Sequence, residues 1–155
     1  MEVPMWRQAR PADGEAIISM CLALHGEDPG IATVRPAQVR ETLAFLEREP
    51  SRGRTLVAEA DGHIAGYAFL VRFWSNELGG EVCEVDELFV RAGQRGNGLG
   101  SSLFEAIDAG RFGSFVAIAL GVSPANGRAR RLYERLGFRA AGTTMVRRGA
   151  GREPC

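Results

Sequence analysis

The chain contains no lysine; all 19 of its basic residues are arginine. That excludes a P-loop lysine, a Schiff-base lysine and a lysine general base. It also has no run near the roughly 18 apolar residues that a membrane span requires. Residues Met1 to Arg10 lack the basic-then-apolar order of a secretory leader, so the cytoplasm is the expected compartment and no membrane partner is expected. Cysteine is scarce and odd in number, at positions 21, 83 and 155. Wide spacing in a reducing compartment argues against disulfides. His25 follows Cys21 by four residues and can share a helix face with it. Two ligands do not make a zinc site and no second pair exists, so no metal is expected.

At 155 residues the chain has the usual size of one domain. Its 45% apolar content is enough for a core. The net charge of zero hides a division. Residues 1–90 hold 8 Arg against 15 Asp and Glu, a net of −7, whereas residues 91–155 hold 11 Arg against 4, a net of +7. The first part can attract a cation and the second an anion, unless solvated faces merely happen to segregate. Eleven arginines without clustered aromatics are weak grounds for a nucleic-acid partner, and none is expected.

Hydrophobic periodicity predicts the elements. Met5–Arg10 reads as a short strand. Pro11 to Gly14 opens a helix through Leu24, and His25 to Pro36 reads as a loop punctuated by Gly26, Pro29 and Gly30. A second helix follows to about Arg48. Arg54–Ala60 and His63–Trp74 flank Asp61-Gly62, a strong hairpin signal. Glu81–Val90 is the third run of this meander. After the glycine-rich Gly93–Gly100, a helix runs to Gly110 and Phe115–Val122 reads as a strand, which gives a right-handed parallel crossover. Ser123-Pro124 reads as an N-cap with Pro at the first helical position. That helix ends at Gly137, and Phe138–Arg148 reads as a last strand before a flexible tail, 149–155. One domain over 1–148 is expected: a mixed sheet with helices on its faces.

Gln94-Arg95-Gly96-Asn97-Gly98-Leu99-Gly100 leads from a strand into a helix. Alternate glycines let the backbone turn tightly and approach a ligand closely. The helix start offers unpaired N–H groups and the positive end of a dipole, and Arg95 adds a fork of donors. The combination describes an anion site, most simply for phosphate. It is not the dinucleotide fingerprint, because position 101 is Ser101 rather than glycine. By itself such a loop can also do no more than join strand to helix.

Arg95-x-x-Gly98-x-Gly100, after Leu88-Phe89-Val90, resembles the acetyl-CoA pyrophosphate motif of the GNAT superfamily of N-acetyltransferases. Asn126-x-x-Ala129-x-x-Leu132-Tyr133-x-x-x-Gly137-Phe138 is similar to that family's downstream helix and its exit. The two blocks are separated by one helix and one strand, as in the family, and the likeness covers about residues 54–140. The resemblance implies an α/β (α+β) GNAT-like fold with a mixed, mostly antiparallel sheet splayed between its fourth and fifth strands. It also implies acetyl-CoA as cosubstrate, with the pantetheine arm lying in the splay.

Residue roles follow from the same likeness. Arg95, Gly96, Gly98 and Gly100 would cradle the pyrophosphate, with Asn97, Leu99 and Ser101 beside it. Leu88, Phe89 and Val90 would bond the pantetheine by backbone, the Leu88 N–H serving the thioester oxygen. Asn126 matches a position that contacts the cofactor arm or orders water. Tyr133 matches the acid that protonates the leaving thiolate, a role suited to a phenol of reference pKa about 10; the alternative is plain packing. Asp86 and Glu87 are the candidate bases. Alternation sends only one of them into the cleft, and a bulge, common in this strand of the family, would upset that parity. Alignment favours Asp86, acting through water, with solvation or pairing to an arginine as the other reading.

The acceptor is expected to be a primary amine. The acidic first part favours a cationic small molecule such as a polyamine, an aminoglycoside or an amino-acid derivative. Glu27 and Asp28, after the first helix, are candidates to border it, and Trp74 to stack on it. A peptide or protein amine and a non-catalytic acyl-CoA-binding domain are the alternatives. A homodimer is common in the family.

Overall fold

Asp61 and Gly62 both take left-handed backbone conformations, with φ of 52° and 76°. That is what a two-residue hairpin connection demands, and it closes β2 (Gly53–Ala60) onto β3 (His63–Ser75). The computed structural model describes residues 5–150. The Cys155 thiol and most of the expected tail lie outside the described residues. The chain divides into two compact units, one ending at Gly121 and one beginning at Val122.

In the first unit, β1 (Met5–Gln8) pairs with β2, and β4 (Gly80–Val90) with β3, all antiparallel. β5 (Ala117–Leu120) runs parallel to β4, which completes the order β1-β2-β3-β4-β5. The mixed, mostly antiparallel sheet is as expected. The parallel ladder joins Val82–Val85 to Ala117–Leu120 and stops there. From Asp86 to Val90 that edge of β4 has no strand beside it among the described residues, and this is the expected splay.

Helices cover both faces. On one, α1 (Gly14–Glu27) and α2 (Pro36–Arg48) bury Ile17, Met20, Val39 and Leu46 against Val57, Tyr67, Phe69 and Phe89. Trp6 pairs with Ala58, so it lies on the face opposite Val57. There its indole N–H reaches the Leu99 carbonyl at 3.0 Å and fixes α3 (Leu99–Asp108) to β1. Arg7 binds Asp13 at 2.8 Å, which ties β1 to the turn before α1. No helix among the described residues is long and apolar enough to cross a membrane.

The second unit is built around α4 (Gly127–Arg135). Its start corrects the sequence reading. Asn126, not Ser123, is the N-cap, and its side chain accepts from the Ala129 N–H. Ser123 and Pro124 instead form a turn closed by the Asn126 N–H on the Ser123 carbonyl. Proline suits the second position of a turn as well as the first of a helix, because both need φ near −65°. The helix ends as expected at Gly137, with φ of 92° and the Phe138 N–H bonded to the Tyr133 carbonyl. Phe138–Arg148 carries no strand, and Met145 and Val146 are exposed. The β-rich composition that suggested one is a preference that only a partner edge makes real.

Candidate active site

Beyond the paired stretch of β4, the register with β3 passes from Leu70 opposite Val85 to Phe69 opposite Glu87. Asp86 is the extra residue of a bulge, a feature that re-aims side chains. Glu87 thereby joins the face of Phe69 and Tyr67. Its Oε1 accepts from the Tyr67 hydroxyl at 2.7 Å and from the Cys21 thiol at 3.4 Å. Its Oε2 lies 3.0 Å from His25 Nε2. Tyr67 is fully buried, so its hydroxyl needs such a partner. Burial, and then the Glu87 charge, hold the Tyr67 phenol far above its ordinary range and push the Cys21 thiol up to about 12. His25 Nδ1 is buried and has no hydrogen-bond partner among the described residues.

Asp86 has a different environment. Its side chain is exposed, yet surrounding protein, followed by the charges of Glu87 and Glu84, raises its pKa. Water reaches the group and screens part of that effect. Two neighbouring carboxylates are thus separated in role, one fixed by donors and one open to solvent.

The glycine loop follows directly. Gly96 and Gly98 have φ of 85° and 79°, and a Cβ at either would meet open space. The need for glycine there is conformational rather than steric. Gly98 caps α3, so the N–H groups of Leu99, Gly100 and Ser101 begin the helix without intrahelical acceptors. Such a cradle fits a pyrophosphate held by backbone donors. Gly100 is helical, a difference from the expectation that all three glycines shape the loop. Leu99 is buried, with its carbonyl engaged by Trp6. Phe89 is buried too, and its carbonyl lies against Gly66 of β3, so its backbone serves the sheet and not the open edge, a correction to its expected role; Leu88 and Val90 are half-buried and Asn97 is exposed.

Arg95 does not extend freely toward the cradle. Its Nε donates to the Val90 carbonyl at 2.8 Å, its guanidinium lies 5.3 Å from the Phe89 ring centre, and its NH2 group binds Glu27 at 2.7 Å. Glu27, a candidate for the acceptor, is therefore joined to the glycine loop. Asp28 sits half-buried past the end of α1, which reaches two residues beyond the expected loop start at His25. A cavity of about 390 Å³, lined by Leu22, His25, Gly26, Ile31, Thr33 and Val34 among others, lies beside them. Trp74 is exposed but stands opposite Glu81, five residues along β4 from Asp86. At about 3.3 Å per residue that is roughly 16 Å away, so Trp74 is not brought to the bulge.

In the second unit, Tyr133 is half-buried on α4 and stacks edge-on with Phe138, ring centres 5.9 Å apart. Burial raises its phenol pKa, which keeps the proton on oxygen at neutral pH. The Asn126 side-chain oxygen is engaged in the cap. Sequence reasoning did not select Tyr67. It lies in a continuous apolar run, and only the pairing of β3 with β4 shows that its hydroxyl meets a carboxylate.

A model of the acetyltransferase (GNAT) family matches residues 20–138. Uncharacterised N-acetyltransferases of Mycobacterium bovis and Mycobacterium tuberculosis are 34% identical over 104 residues, 66% of this chain. The match spans 63% of the length of those curated relatives. Among solved structures, a possible acetyltransferase from Clostridium difficile has a TM-score of 0.78 at 19% identity, covering 97% of this chain and 100% of that one. The ribosomal-protein-alanine N-acetyltransferase from Brucella melitensis has a TM-score of 0.74 at 19% identity, covering 95% and 100%. At such identities these likenesses speak for the fold alone.

Proposed function

The chain belongs to the GNAT acetyltransferase family, and from that premise we propose that it transfers the acetyl group of acetyl-CoA to a primary amine on a cationic small molecule. One observation carries the reading: the unpaired edge of β4 from Asp86 to Val90 leads straight into a left-handed glycine cradle at a helix start. An amide-bearing pantetheine arm suits an open strand edge, and a pyrophosphate suits the cradle.

The residues then divide the work. Backbone N–H groups of Gly96 to Ser101 hold the pyrophosphate. The Leu88 N–H faces the thioester oxygen, where negative charge grows as the amine attacks. Asp86 takes the amine's proton through water, because it is solvent-accessible whereas Glu87 is committed to Tyr67, His25 and Cys21. Tyr133 gives its proton to the departing thiolate. The −7 charge of residues 1–90 supports a cationic acceptor, a polyamine, aminoglycoside or amino-acid derivative.

Release of free thiol from acetyl-CoA tests this, measured against a panel of those amines and of peptides. Peptides belong in the panel because one fold neighbour is a ribosomal-protein-alanine N-acetyltransferase. The expected result is turnover on one cationic amine class, reduced about 100-fold or more by Tyr133→Phe. Turnover on peptides alone would replace the acceptor. Binding of acetyl-CoA without turnover on any amine would favour a sensing domain, and failure to bind it would overturn the reading.

A further inference from the structure

Cys21 and His25 stand one turn apart on the same face of α1. The bulge in β4 delivers Glu87 to that face, with Glu87 oxygens 3.4 Å from Cys21 Sγ and 3.0 Å from His25 Nε2. One thiol sulfur, one imidazole nitrogen and one carboxylate oxygen all lie within 4.8 Å of one another. We propose that Cys21, His25 and Glu87 bind a divalent transition-metal ion of the zinc type, with a water as fourth ligand.

Geometry, charge and chemistry support the assignment. In a tetrahedral site with bonds of about 2.0–2.3 Å, neighbouring ligand atoms are about 3.3–3.8 Å apart. The separations of 3.4 Å from Cys21 to Oε1 and 3.0 Å from His25 to Oε2 lie at or near that range, and the set that uses a single carboxylate oxygen, whose atoms are within 4.8 Å of one another, has to draw in by no more than about 1 Å. Sulfur and imidazole nitrogen select zinc or cobalt over magnesium and calcium, which prefer oxygen. A divalent ion displaces the Cys21 proton to solvent, so that thiolate, carboxylate, neutral imidazole and metal sum to zero charge in a partly buried place. Tyr67 already orients the carboxylate, the kind of outer hydrogen bond that metal ligands receive. Cys21 is almost fully buried, but the His25 and Glu87 side chains are 22% and 19% exposed, and His25 lines the cavity described above. That side offers an ion its entry. Without an ion, Tyr67, Cys21 and His25 crowd onto one carboxylate.

The site does not depend on the acetyl-transfer reading, and its test reads metal rather than activity. Full-length protein stripped with a chelator is titrated with Co²⁺ and followed by absorption, then challenged with Zn²⁺. The expected result is one Co²⁺ per chain, with thiolate-to-cobalt charge-transfer absorption that Zn²⁺ abolishes. Cys21→Ser should lose that absorption, Cys155→Ser should keep it, and His25→Gln should weaken binding at least about tenfold, the loss that even outer partners of metal ligands cause. A thermal melt of each variant checks that it folds. If Cys21→Ser does not fold, His25→Gln, at a half-buried position in the last turn of α1, decides. Absence of thiolate absorption in the wild type would overturn the proposal. So would absorption that survives Cys21→Ser, or affinity untouched by His25→Gln, and the cluster would then be a hydrogen-bonded one only.

Discussion

Two halves of one strand differ in almost every respect. Val82 to Val85 of β4 are paired on both edges, and Val82, Cys83 and Val85 are buried. Beyond them, Asp86 forms a bulge, Glu87 to Val90 are paired on one edge only, and the segment carries two carboxylates. A doubly paired strand has its backbone satisfied and its side chains packed, so it contributes stability and offers nothing to a ligand. The open half retains backbone donors and acceptors, and it continues into the glycine loop. Stability and the proposed chemistry are thus adjacent on one strand but separable.

Substitutions in the two halves should therefore fail in opposite ways. In the open half, Asp86→Asn should lower kcat by about 100-fold or more with little change in melting temperature, as loss of a general base does. In the paired half, Val82→Ala should cost about 1–3 kcal/mol of stability while each folded molecule keeps its kcat. Steady-state kinetics and urea melts of the two proteins check both. A stability loss in the first, or a kcat loss in the second, would break the division.

Acid sharpens the same contrast, because it strikes a third place. The Arg7 guanidinium, as the stronger influence, and the Arg10 N–H hold the Asp13 carboxyl below its usual range. A carboxyl with a depressed folded pKa stabilises the fold above its unfolded pKa of about 4, and that contribution disappears as pH falls through the folded value. Asp13→Asn should remove about 1.5–3 kcal/mol at neutral pH and flatten the loss of stability below pH of about 4. Thermal melts across acid pH measure this. An unchanged acid profile would remove Asp13 from the account.

The smallest effect concerns the loop itself. Glu27 competes with any phosphate for Arg95, but its side chain is half exposed and such pairs are worth about 0.2–1 kcal/mol. Glu27→Gln should therefore tighten acetyl-CoA binding by no more than about fivefold, measured by calorimetry. Weaker binding would mean that Glu27 positions Arg95 for the ligand instead of occupying it.

Much of this was legible because the rules that set it are short-range. Asp61-Gly62 specifies a hairpin, and Gly137 stops a helix. The alternate glycines before a helical period mark the turn into α3, and spacing of four places Cys21 and His25 on one face. Where neighbouring solutions fit equally well, local reading chose wrongly. Pro124 suits a turn as well as a helix start, and Phe138–Arg148 has strand composition without a strand partner.

The sequence by itself determined the order of elements as far as α4, the loop and the two acidic residues beside it. Only the tertiary structure decided what those residues face. Alternation along a strand is fixed by its pairing, and the register of β3 against β4 inserts Asp86 as an extra residue. That one displacement brings Glu87 to Tyr67, to His25 and to Cys21, which lies 66 positions away in the chain. No local periodicity encodes such a meeting, because it depends on two sheet partners and a helix packing at once.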